Sequence, residues 1–150
     1  MANDAIKTLG TEVVMESNGA QLSDGDFAAC ADADFLTANV GGFPLAIFEL
    51  DIPGFSVAPT AGATVSLYEQ KFNSDGNQAE VPDATHKHDY IGSFAVDVAD
   101  AVQNLSIVAP IHYFGADFYI EWLDGGAGTA TLDTAWVLRV TPYTYTPSTA

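Results

Sequence analysis

The sequence predicts an all-β domain: an antiparallel β-sandwich, with a jelly roll as one form of it. Three observations carry this. Apolar and polar residues alternate with period two in several short runs, and no helical period is sustained. Turn residues punctuate the runs, with 13 Gly and 7 Pro spread along 150 residues. Apolar residues at 48% and aromatics at 11% supply a core at a length typical of one domain.

The first part of the chain is the least regular. Residues 11–15 read as a short strand. Residues 22–39 are rich in Ala, Asp and Gly, and hold Phe27, Phe35 and Leu36 without a clean period. One short helix is expected near 26–33. Residues 1–42 are therefore read as a loosely structured N-terminal arm or lead-in. It precedes a β-sandwich body over 43–150, in one domain overall.

From Phe43 the pattern sharpens. FPLAIFEL at 43–50 is a compact apolar run suited to a buried strand, and Pro53-Gly54 closes it. TVSLYEQKF at 64–72 alternates, with Val65 and Leu67 on one face and Ser66 and Tyr68 on the other. YIGSFAVDV at 90–98 offers Tyr90, Phe94 and Val96 to a core. Residues 104–108 form a short strand limited by Pro110. DFYIEW at 117–122 sets Phe118, Ile120 and Trp122 against Asp117, Tyr119 and Glu121. After the Gly-rich turn at 124–128, TAWVLRVTP at 134–142 turns Trp136, Leu138 and Val140 inward, with Arg139 and Thr141 outward. The tail at 143–150 is rich in Thr and Pro. That makes about seven or eight strands.

Charge narrows the function. Twenty acids face four bases, for a net charge of −16. Such a chain repels nucleic acid and anionic membranes. It also repels copies of itself, so assembly needs a specific, partly apolar contact. The plainer reading of the charge is solubility or a salty habitat. Cys30 is the one cysteine, so no internal disulfide forms. No run approaches the ~18 apolar residues of a membrane helix, and 1–9 lacks a signal-peptide pattern. Synthesis and folding in a cytoplasm are expected.

Residues that bear chemistry are scattered. His86 and His88 share a strand face if extended and could bind one ion, with Asp83 or Asp89 adding an oxygen. Zinc wants three or four ligands, and the one other histidine is His112, so a polar loop that contains histidines is the alternative. Asn73, Asp75 and Asn77 resemble the start of a calcium loop, but the glycine falls early and Ala84 occupies the position of the closing Glu. Asp24, Asp26, Asp32 and Asp34 form an acidic cluster of the kind expected in so acidic a chain. Cys30 has no histidine near it in sequence and reads as a small buried hydrophobe. Neither a Gly-x-Ser-x-Gly elbow nor a phosphate loop is present. Tyr68, Tyr90, Tyr113, Tyr119, Tyr143 and Tyr145, with Trp122 and Trp136, could line a sugar platform, although both tryptophans sit in phase with core positions. The expectation is a non-enzyme with no catalytic, cofactor or metal residues.

The order of segments in the second half resembles a known group. A VSLYEQ strand, a DG turn, YIGSFAVD, a Q-x-L-x-I segment, DFYIEW, a Gly-rich turn and AWVLRVTPYTY follow one another over 64–145. This progression resembles small virion structural proteins of tailed bacteriophages, the capsid decoration type. The resemblance implies a β-sandwich on the capsid exterior, bound to the major capsid protein and self-associated as a homotrimer. It carries over no functional residue. Leu45, Ala46, Ile47 and Phe48 are consecutive, as are Trp136, Val137 and Leu138, so both faces of these strands are apolar. Packing against another subunit or a shell would cover them. Two alternatives remain open: another virion component (a head fibre base, tail or adaptor protein) and a carbohydrate-binding module.

Overall fold

The computed structural model describes residues 5–33, 35, 43–71, 80–87, 89–111, 116–126 and 128–147. Nine strands are described: β1 Ala5–Leu9, β2 Val13–Glu16, β3 Phe27–Cys30, β4 Leu45–Ile52, β5 Thr64–Lys71, β6 Tyr90–Ala95, β7 Gln103–Pro110, β8 Ala116–Leu123 and β9 Val137–Pro147.

They form two antiparallel sheets. The first runs β1-β9-β4-β7, with β2 also on β9; the second runs β3-β8-β5-β6. The pairs β2·β9, β3·β8, β4·β7 and β5·β6 nest inside one another along the chain. Together they make one long ribbon that doubles back after β5 and rolls up. The pairs β4·β9 and β5·β8 seal the roll. Strands β2 to β9 thus have jelly-roll connectivity.

The alternation seen in the sequence decides which side of each strand is buried. β4 alternates half-buried and buried along its whole length. Phe48 and Leu50 face inward opposite Val140 and Leu138, and all four are fully buried. Val65, Leu67, Phe118, Ile120 and Trp122 meet them from the second sheet. Edge-to-face contacts of 5.2 Å link Phe118 to both Phe35 and Phe48. Each tryptophan hides its ring and hands its indole N–H to a carbonyl: Trp122 to Ala130 O and Trp136 to Ala20 O, both at 2.8 Å. Burying those rings therefore leaves no donor unsatisfied.

Two expectations are corrected. Residues 1–42 are not a loose arm in their described part. β1 and β2 line one edge of the first sheet, and β3 completes the second. Met15, Leu22, Cys30 and Phe35 lie in the core. The described part of this segment therefore belongs to the body. The helix expected near 26–33 is strand β3, because pairing of 27–30 with Phe118–Glu121 overrides local propensity. Tyr90 also differs. A bulge between Leu67 and Tyr68 sets Tyr90 opposite Tyr68 on the outer face, where it is 52% exposed.

Gly19 marks the tightest approach. A Cβ there would lie 1.9 Å from the Trp136 ring. Its N–H donates to Trp136 O, and Ala135 N–H donates back to its carbonyl. Gly19→Ala should force the ring or the 17–22 segment to move. A loss of roughly 2 kcal/mol is expected, read as a lower urea midpoint with an altered near-ultraviolet tryptophan signal.

Candidate functional site

A sandwich presents two outer faces, and here they differ. Register places Tyr119, Tyr68 and Tyr90 in one row across β8, β5 and β6, on the outside of the second sheet. Phe27, Glu121, Ser66 and Ser93 form the next row. Tyr68 donates its hydroxyl to Glu121 Oε1 at 2.9 Å, and Lys87 donates to Oε2 at 2.7 Å. The Glu121 side chain is 2% exposed while Lys87 is 44% exposed. Lys87 arrives from the loop before β6 and also lies 5.7 Å over the Phe27 ring. The buried carboxylate is thus matched by a cation and a phenol rather than left alone, which is the condition for tolerating a charge under cover. On the same face Tyr90 Oη, Ser93 Oγ and Ser66 Oγ form a chain of 2.7 and 3.1 Å contacts.

The outer face of the first sheet is graded. At one end Leu9, Tyr143, Leu45 and Pro110 form a row, followed by Thr141, Ile47 and Val108. Val108 is 60% exposed and Leu9 57%. Leu45 and Ile47 are half-buried. Lys7 lies 4.7 Å over the Tyr143 ring, and Tyr143 meets Tyr145 edge to face at 5.5 Å. Further along, Val14, Arg139, Glu49 and Ser106 form the third row. Arg139 pairs with Asp51 and, at 3.5 Å, with Glu12. This face carries Lys7 and Arg139 against Glu12, Glu49 and Asp51. It is almost neutral on a chain of net charge −16.

The residues singled out in the sequence do not converge on one centre. His86 Nε2 lies 2.8 Å from Glu80 and Nδ1 lies 3.0 Å from Asp83. His88 and His112 lie outside the described residues, as do Asn73, Asp75, Asn77 and Tyr113. Among the described residues no three His, Cys, Asp or Glu side chains group as metal ligands. The Asp83 carboxyl is held down to about 2 by the Thr85 N–H and hydroxyl. The acidic cluster is split by β3. Asp24 Oδ1 accepts Asp124 N–H, Asp26 Oδ2 accepts Ser23 N–H, and Asp32 takes both Ser17 donors beyond the other end. Asp34 is outside the described residues. Asp124, fully buried, accepts from Thr60 N–H at 2.9 Å and Ala130 N–H at 3.1 Å. Burial raises its pKa, but those backbone donors outweigh it and the net shift is downward. These carboxylates staple loops. Cys30 is fully buried, and burial pushes its thiol well up, with Glu16 and Asp32 adding. It is not a nucleophile in this setting.

Sequence reasoning grouped all six tyrosines. The sheets separate those that are described: Tyr68, Tyr90 and Tyr119 on one outer face, Tyr143 and Tyr145 on the other. The Glu121–Lys87 pair went unseen because its partners are 34 residues apart. Trp122 and Trp136 are in the core, as their phase indicated.

Tyr68, Tyr119 and Tyr143 are all held above the ordinary phenol value of 10.0, chiefly by burial. Glu121 adds to the shift at Tyr68, and Asp117 adds at Tyr119. In the unfolded chain these phenols ionise near pH ~10, while the folded chain keeps them protonated. Their contribution to stability is full below that pH and is lost as pH rises above it. A phenolate absorbance titration should show fewer ionised tyrosines in native than in urea-unfolded protein near pH ~11, with a falling urea midpoint over the same range. Equal titration of both states would contradict the burial described.

No family model matches this chain, and no curated protein matches it. Among solved structures, it is similar to a carbohydrate-binding module of lichenase 5A from Cellvibrio mixtus, solved in complex with cellotriose. The identity is 10% and the TM-score 0.45, over 97% of this chain and 88% of that one.

Proposed function

We propose that the chain is a capsid decoration protein of a tailed bacteriophage, docked on the assembled head through the outer face of its first sheet. The observation that carries the reading is that face. It gathers Leu9, Val14, Val108 and Tyr145 among the exposed large apolar side chains, with Leu45 and Ile47 between them. It is also almost free of the net charge borne by the rest of the molecule. An acidic protein can approach a surface or a copy of itself there without facing its own repulsion. The segment order over 64–145 supports the class, and the jelly-roll connectivity suits it, since that architecture builds viral shell domains as well as lectins. In this reading each copy bridges capsid subunits and stabilises the assembled state by binding it alone.

Electron microscopy of the parent head is the test. Density for this chain on the outer shell, with the first sheet inward, is expected; a head without it would overturn the reading. Val108→Asp and Leu9→Asp, both at exposed positions, should each weaken co-sedimentation with undecorated heads by roughly tenfold and leave the fold intact.

One observation favours a second reading. The tyrosine row Tyr119–Tyr68–Tyr90, next to hydroxyls and a carboxylate, supports a carbohydrate-binding module. Stacking of a sugar on Tyr90 would quench tyrosine emission and be lost in Tyr90→Ala. An unmoved signal across a glycan panel would remove this reading.

A further inference from the structure

Strand β1 stands apart from the roll. Connectivity of the sandwich is complete with β2 to β9, and β1 is an addition at one edge. Among the described residues its one strand partner is the far end of β9, from Leu9↔Tyr143 to Ala5↔Pro147. β4 begins at Leu45, opposite Tyr143, so among the described residues 144–147 pair with β1 alone. This end is a two-stranded ribbon that runs past the body. Lys7, Thr8 and Leu9 are all exposed. By contrast, β2 puts Val13 and Met15 into the core. Between the two strands the chain turns at Gly10, whose N–H donates to Pro142 O at 2.7 Å, and continues through exposed Thr11 and Glu12.

A ribbon of two strands is marginal in water on its own. What holds β1 is strand pairing and the contact of Lys7 with the Tyr143 ring, with no described side chain of it buried. Opening it therefore costs little, and what opening leaves behind is a bare edge at 144–147. Bare edges are satisfied by another strand. The β1 of a second copy makes the same bonds in the same register. It also brings Lys7, one of four basic residues, onto the Tyr143 ring of a chain with net charge −16.

We propose that β1 is an exchangeable strand, with Ala5–Leu9 of one copy pairing with the Tyr143–Pro147 end of the next. The exchange is head to tail, so it closes into a ring when the rotation between copies allows. It goes beyond the proposed docking on a shell and does not depend on it.

The Gly10–Pro142 bond sets the alternation of the ladder, making Lys7↔Tyr145 a non-hydrogen-bonded pair, the close kind that a disulfide can bridge. Two differently tagged full-length chains, Lys7→Cys and Tyr145→Cys, are co-expressed, purified and oxidised. Both positions are exposed, and Cys30 is buried. The matched pair should yield roughly tenfold more cross-linked heterodimer than the mismatched pair Lys7→Cys with Val102→Cys, because exchange places the matched thiols side by side. Removal of 1–9 should abolish self-association and leave a folded monomer. The proposal is overturned if matched and mismatched pairs cross-link alike while the Lys7→Cys/Tyr145→Cys double variant closes only within single chains. The assay contains no shell, so that failure leaves docking on a head standing, and a head without density leaves exchange standing.

Discussion

The pairing of β4 with β9 is the constraint on which the rest depends. In the first sheet it joins the two arms of a rolled ribbon, as β5·β8 does in the second. Seven residue pairs, from Leu45↔Tyr143 to Asp51↔Val137, hold it. On the inner side they set Phe48 against Val140 and Leu50 against Leu138, all fully buried. Each such side chain contributes roughly 2 kcal/mol by burial. On the outer side the same register sets Leu45, Ile47 and Glu49 beside Tyr143, Thr141 and Arg139. One ladder therefore fixes both the core and the outer face of the first sheet. A slip of one residue would exchange them.

The other outer face follows a different logic. Its polar groups are not spread in solvent but drawn into a network under Lys87 and Tyr68. Glu121 sits there because β8 must turn Ile120 and Trp122 inward, which sends Glu121 out onto the sheet beneath the loop before β6. The cost of covering a carboxylate is met by two donors from other elements. The face is thereby ordered, with Tyr90 left standing at its edge.

Much of this was legible in the sequence, and the limits have physical causes. Strands β4, β5, β8 and β9 were readable because each pairs on both sides and buries a regular face. The inward set of Trp122, Trp136, Leu138 and Val140 follows directly from period two. β1 and β3 were not readable. The described side chains of β1 stay exposed, and β3 is four residues with Ala28 and Cys30 as its inward pair, too short and too small to show a period. Tyr90 was misplaced because a bulge reverses phase beside Gly92, the one local sign of it in YIGSFA. The acidic residues at 24–32 looked like one cluster because they are close in sequence. The strand between them carries them to opposite ends. For the face on the first sheet, consecutive apolar residues in β4 and β9 were the signal. Its near neutrality was visible only once Lys7, Arg139 and their neighbours were placed together.

The nesting of strand pairs has a mechanical consequence. Ala5 and Pro147 are partners in register, so the two ends of the described chain leave from the same corner. A force that separates them acts across the ladder and breaks its hydrogen bonds one rung at a time, starting with β1·β9. A force spread over a broad sheet face meets every rung at once. The fold is a zipper when pulled by its ends and a plate when pressed on its face.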